Sequence, residues 1–189
     1  MQIKFLALVA ILALASQTAF AQYKYVDGNP VYGRTSQNTY TIGGAAFVDT
    51  DSALGTDIQL SLSFGYYIEN GLMVGGYGSF WDNKWYNTSS VGGTGKWHFW
   101  DFGFDGQSMP CTVYLGADLG LGYVKTGVDS ATALVFGARI GFDLFFTDNI
   151  SVGIALDAHV ATDDIYPVNK DKGLANTDFS LKYGVTYYW

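Results

Sequence analysis

Ala133-Leu134-Val135-Phe136-Gly137-Ala138-Arg139-Ile140-Gly141-Phe142-Asp143-Leu144-Phe145-Phe146 is the stretch whose reading decides the fold. Leu134, Phe136, Ala138, Ile140, Phe142, Leu144 and Phe146 fall on one face of an extended chain. Ala133, Val135, Gly137, Arg139, Gly141 and Asp143 fall on the other. Successive side chains of a strand point to opposite faces, so strict alternation over this length predicts a β-strand and excludes a helix. One face is bulky and apolar, and the other is small or charged. That division fits a strand between lipid and a polar interior.

The same period recurs on both sides. Ile58, Leu60, Leu62, Phe64, Tyr66 and Ile68 alternate with Asp57, Gln59, Ser61, Ser63, Gly65 and Tyr67, and Asn70-Gly71 then supplies a tight hairpin turn. Ile150, Val152, Ile154, Leu156, Ala158 and Val160 oppose Ser151, Gly153, Ala155, Asp157, His159 and Ala161. Phe179, Leu181, Tyr183, Val185, Tyr187 and Trp189 oppose Asp178, Ser180, Lys182, Gly184 and Thr186. A further strand over 111–126 points Val113, Leu115, Ala117, Leu119 and Leu121 outward. Strands over 39–49, 72–81 and 91–102 alternate less cleanly. The count is eight strands, each long enough to cross lipid at a tilt, which takes roughly 9–11 residues. Strands of a soluble sandwich are shorter, about 5–6 residues, and their water-facing side carries more charge. The predicted fold is an all-β, antiparallel, up-and-down transmembrane barrel.

Composition agrees. Charged residues make up 14% of the chain, against about 25% in typical soluble proteins, while aromatic residues reach 17% and glycines number 24. At the N-terminus, Lys4 precedes an apolar run from Phe5 to Ala15, and Ala19-Phe20-Ala21 follows. This reads as a cleaved signal peptide over 1–21, because a membrane-spanning helix takes about 20 apolar residues. Residue 22 is Gln, so a lipoprotein leader is not expected. Residues 22–38 read as a polar N-terminal segment and 39–189 as one barrel domain. The net charge of −7 argues against nucleic acid as a partner, since that needs a basic face. The single cysteine, Cys111, cannot form an internal disulfide and reads as a small apolar residue.

Turn lengths suggest an orientation. Connections at 69–71 and 147–149 are short, whereas 82–90 and 163–173 are longer and polar. Outer-membrane barrels keep short turns on the periplasmic side, so both termini are expected there. The connection 103–110 is long for that side. Trp81, Trp85, Trp97, Trp100, Tyr123, Tyr187 and Trp189 lie near strand ends and are expected to form the interfacial aromatic girdles.

Inside the barrel, Lys96, Asp118, Arg139, Asp157 and Lys182 fall on inward faces of successive strands, alternating in sign. An unpaired charge in a narrow interior is costly, so they are expected to form an ion-pair ladder that plugs the lumen. The alternative use of the same residues is a conduction path.

Catalysis is not expected. His98 and His159 are the only histidines, and neither stands in a His-x-Ser arrangement. His159 could lie near Asp157, and Ser130 and Thr162 are possible nucleophiles in principle, but the pattern places none beside a base. Asp163, Asp164 and Asp171 read as a solvated loop rather than a metal site. The glycines of 116–122 alternate along a strand, so they do not form a phosphate-cradling loop. Neither a cofactor nor a metal is expected.

The C-terminal stretch Tyr183-Gly184-Val185-Thr186-Tyr187-Tyr188-Trp189 resembles the terminal assembly signal of outer-membrane barrels, in which alternate apolar residues end on an aromatic. Trp stands where Phe is usual. With glycine-rich strands such as 71–78, residues 39–189 resemble the small porin-family barrels typified by OmpA and OmpX. The resemblance implies an outer-membrane location, lipid as surroundings and recognition of Tyr183, Val185, Tyr187 and Trp189 by the barrel-assembly insertase. It also implies a non-catalytic structural or surface-interaction role, in a larger envelope complex or with a surface ligand. A narrow porin-like channel and a lipid-modifying enzyme are the second and third alternatives.

Overall fold

The computed structural model describes residues 24–26, 29–31, 35, 37–52, 55–83, 85–102, 111–127, 129–147, 149–167 and 173–189. The expected signal peptide, the 103–110 connection and Asp171 lie outside them.

Short strands β1 (Lys24–Val26) and β2 (Asn29–Val31) pair with each other, so the N-terminal segment holds a small hairpin. The barrel strands are β3 (Tyr40–Ser52), β4 (Gly55–Glu69), β5 (Leu72–Asp82), β6 (Asn87–Phe102), β7 (Cys111–Lys125), β8 (Ser130–Thr147), β9 (Ile150–Ala161) and, after the two-residue strands β10 (Tyr166–Pro167) and β11 (Leu174–Ala175), β12 (Thr177–Tyr188). They close in the order β12-β3-β4-β5-β6-β7-β8-β9, every neighbour antiparallel. The expected eight-stranded barrel is therefore present. Closure gives every barrel strand two neighbours, the arrangement that lets strands cross lipid, although β12 and β3 meet over only part of their length.

The outer surface is apolar. Leu62, Leu115, Leu119, Phe136, Ile140, Leu156 and Leu181 all point outward and are exposed. In water this pattern would be unstable, but against hydrocarbon it is the favourable arrangement. Ile150 is an exception to the face expected for it, being buried at the start of β9.

Two clusters of buried side chains lie inside, one at each end. At the terminal end, where β3 starts and β12 finishes, Tyr67, Met73, Phe145 and Tyr188 pack together. At the opposite, loop end, Val124, Ala133, Val135 and Ala161 pack around Ile165. Ile165 belongs to the long connection between β9 and β12, which pairs β10 with β11 and turns back into the barrel mouth.

The loop expected over 82–90 is much shorter. Asn87–Ser90 extend β6, and the turn is 83–86. Asn83 makes it tight: its side-chain oxygen accepts the N–H groups of Trp85 and Tyr86, and its own N–H donates to the Tyr86 carbonyl. An Asn side chain satisfying nearby backbone N–H groups is a general turn-former, which the polar composition alone had suggested as a longer loop. The turn after β4 is as expected: Gly71 has φ +78° and its carbonyl accepts the His98 N–H at 2.7 Å.

One pairing differs from the rest. β12 pairs with β9 from Thr177↔Val160 to Tyr187↔Ile150, and β3 with β4 from Tyr40↔Tyr66 to Ser52↔Gly55. Between β12 and β3 the register runs only from Thr41↔Tyr188 to Gly44↔Val185. Towards the loop end the two strands part.

Candidate functional site: the barrel lumen

Arg139 is the hub of the lumen. β8 pairs with β9 so that Arg139 stands directly across from Asp157. Its Nε donates to Asp157 Oδ1 at 2.7 Å and its Nη2 to Oδ2 at 2.8 Å. The same Nη2 donates to Asp118 Oδ2 at 3.0 Å, from the neighbour on the other side. Lys182 Nζ reaches Asp157 Oδ2 at 3.2 Å. The planar guanidinium fork matches a carboxylate in two parallel bonds, which a lysine cannot do. Asp157 is enclosed completely, so its charge depends on these two cations.

Lys96 is brought to no carboxylate within ion-pair distance among the described residues. The β6–β7 register sets it opposite Gly116, while Asp118 stands opposite Thr94. Its ammonium instead lies 4.7 Å over the Tyr114 ring, a cation–π arrangement. Four of the five expected ladder residues thus join, and register displaces the fifth.

The pattern left out two acids and two imidazoles that matter. His159 Nε2 lies 3.6 Å from Asp118 Oδ2, and its Nδ1 lies 3.8 Å from Asp178 Oδ2. Near the terminal end, His98 Nε2 lies 3.6 Å from Asp143 Oδ2, while its Nδ1 is 3.0 Å from the Tyr67 hydroxyl. Asp143 and Asp178 already stood on inward faces of their strands. Their inward parity was the signal available for extending the charge network beyond one residue per strand.

The other half of the wall is different. Ser61, Ser63, Ser79 and Ser90, with Gln59 and Thr88, line a cavity of about 420 Å³ across from Arg139 and Lys182. Ser79 and Ser90 hydroxyls bond across the β5–β6 pair at 2.6 Å. Small side chains on β3 to β5 leave this space open, while the ion pairs fill the other side.

Among the described residues, the hydroxyl that meets a histidine is the Tyr67 phenol on His98. The Thr162 hydroxyl accepts the Leu134 N–H at 3.0 Å, and Ser130 is exposed at the start of β8. Ser151 is fully buried and shares a 3.1 Å hydrogen bond with Tyr188. Asp163 and Asp164 are exposed in the β9–β12 connection, and Cys111 is buried at the start of β7. In that connection, burial and the nearby Asp178 raise the Tyr166 phenol above its ordinary range.

Of the residues expected in the aromatic girdles, Trp97, Trp100, Tyr123, Tyr187 and Trp189 are exposed on the outer wall, and Trp85 is exposed in the turn after β5. Trp189 stacks on Tyr187 at 5.8 Å and on Tyr40 at 6.0 Å, forming a continuous band at the terminal end. Trp81 differs. It shares the parity of Met73 and Tyr77 and lines the cavity, because the unbroken alternation of β5 carries it to the lumen side. Tyr183, Val185 and Tyr187 share the outer face of β12, with Trp189 exposed just past its end, whereas Tyr188 points into the buried terminal cluster.

The whole strand order can be compared with solved structures. Neisserial surface protein A superposes with a TM-score of 0.53 at 19% identity, covering 79% of this chain and 95% of that one. The chain has the fold of the small outer-membrane barrels. The N-terminal β-barrel domain of Pseudomonas aeruginosa OprF superposes similarly, with a TM-score of 0.54 at 14% identity, over 81% of this chain and 98% of that one. No family model matches the chain. No curated protein matches it either.

Proposed function

We propose that this protein is an integral outer-membrane barrel with a structural, non-catalytic role, its lumen closed to ions and solutes. The observation that carries this reading is the pair of barriers stacked along the lumen. Arg139, Asp118, Asp157 and Lys182 tie four strands together at mid-height. Below them Tyr67, Met73, Phe145 and Tyr188 fill the terminal end. An eight-stranded barrel encloses a space that side chains can fill, so closure needs no further domain.

The surroundings in this reading are outer-membrane lipid, with both termini in the periplasm. In support of that orientation, the long connection 162–176 lies at the end away from the termini. It is also the element best suited to touch a surface ligand or a larger envelope complex, since the other connections at that end are short. Tyr183, Val185, Tyr187 and Trp189 offer the assembly insertase an alternating edge ending on an aromatic. The signal peptide over 1–21 is part of the same proposal.

Planar-bilayer recording tests it. The wild-type protein is expected to show conductance near zero, and Arg139→Ala to raise it. Steady wild-type conductance, with Arg139→Ala changing only ion selectivity, overturns the closed-lumen reading in favour of a narrow channel.

A further inference from the structure

The parted stretch of the wall between β12 and β3 has a physical consequence in a membrane. Over Thr177–Gly184 and Ala45–Ser52 these strands pair only with their other neighbours. Leu181 stands across from Leu156, which stands across from Ile140, so the gap begins at the level of the apolar belt. Backbone N–H and C=O groups facing hydrocarbon there are costly unless something satisfies them.

Two further observations describe what fits. On the outer side, Phe179 is 81% exposed and Leu181 61%, and Phe179 is the most exposed large apolar side chain among the described residues. A missing neighbour leaves that face uncovered. On the inner side, the gap adjoins the 420 Å³ cavity, whose lining includes Ala45, Ser61 and Ser180. Into the same cavity wall is set Thr88 Oγ1, buried with no hydrogen-bond partner, beside the Tyr77 hydroxyl, which meets Ser90, and Asp118, which meets Arg139. Thr88 is only 7% exposed, so solvent at the surface does not satisfy its hydroxyl.

We propose that the gap between β12 and β3 is a lateral binding site for a single-chain amphiphile with an uncharged, hydroxylated head. The head occupies the lumenal cavity, and the chain lies against Phe179 and Leu181. Hydroxyl groups donate and accept, which suits the Thr88 hydroxyl and the serine wall. An anionic head is disfavoured, because Arg139 and Lys182 are already committed to carboxylates and Asp118 and Asp178 face the same space. The cavity has the size of a small-ligand site, with room for a glycerol or one sugar ring. This inference goes beyond the closed-lumen reading and does not depend on it, since a sealed terminal end leaves the lateral site intact.

Native mass spectrometry of the folded protein in zwitterionic detergent tests the proposal, with 1-monooleoylglycerol as probe and dodecyl phosphate and glycerol as comparisons. The expected result is one retained monooleoylglycerol, with neither comparison compound retained. Ala45→Trp, which fills the mouth of the gap, is expected to weaken retention about tenfold or more, equivalent to the tenfold step of a binding constant. Ser61→Leu, which narrows the head space, should do the same and serves if Ala45→Trp loses its heat-dependent gel shift. Leu119→Trp, on the lipid face of β7 and away from both the gap and the groove beside Phe179, should leave retention unchanged. Equal retention of dodecyl phosphate overturns the uncharged-head assignment. No retention, or multiple adducts indifferent to Ala45→Trp and Ser61→Leu, overturns the site.

Discussion

The two arcs of the lumen fill a polar interior in opposite ways. From β7 through β9 to β12, long charged side chains reach across the strands and neutralise one another, as in Arg139 with Asp118 and Asp157. From β3 to β5, serines, glycines and Gln59 line the wall and leave a cavity. The tight arc has long, continuous ladders, such as Cys111↔Leu144 to Lys125↔Ser130 between β7 and β8. The open arc borders the short ladder between β3 and β12. Side chains that bridge strands also hold them together, and an arc bridged only by neutral contacts such as Ser79–Ser90 relies more on its backbone. Stability and ligand space are thus separated around one ring.

Removing the hub is the severest test of this contrast. Arg139→Ala leaves Asp157 with Lys182 and Asp118 with His159 but removes the guanidinium between them, and breaking a buried pair in this way costs about 3–5 kcal/mol. Arg139→Lys should recover part of that, because it restores the charge without the fork. Urea unfolding in lipid vesicles reads both values. A loss no greater than that of a serine variant in the open arc would show that the charged arc is not the stabilising one.

The outer wall should ignore the contrast. Ile140→Arg on the tight arc and Leu62→Arg on the open arc each place a charge on an exposed apolar site facing lipid. Each is expected to cost about 2–4 kcal/mol at mid-bilayer, falling towards the interfaces. Both are measured by the same unfolding assay. A much smaller penalty for Leu62→Arg would mean that the open arc admits water to its outer face. Glycine at 141 is a poor neutral control for this pair, because a Cβ there would come within 2.7 Å of the Ile154 carbonyl oxygen and the Tyr114 ring.

The mildest effect belongs to the open arc. Ser79→Ala removes one side of the Ser79–Ser90 hydrogen bond and should cost about 0.5–1.5 kcal/mol. The cavity beside Ser90 gives that hydroxyl other partners in water. Differential scanning calorimetry of the two proteins in matched detergent checks it. A larger loss than Arg139→Lys would invert the ranking of the arcs.

Much of this could be read from residue order. Alternation along 133–146, 150–161 and 178–189 determined strands, their faces and a membrane barrel, because a period of two leaves each side chain only two directions. The inward placement of Arg139, Asp118, Asp157 and Lys182 followed from the same parity. Parity says which face a residue takes but not how high it stands relative to a neighbouring strand. That height comes from register and barrel shear, which are properties of the closed ring. Only the tertiary structure therefore decided that Lys96 sits over Tyr114 instead of beside Asp118, and that Ile165 turns back into the mouth. The early parting of β12 from β3 has the same origin, since the two strands lie at opposite ends of the barrel sequence and meet only when the ring closes.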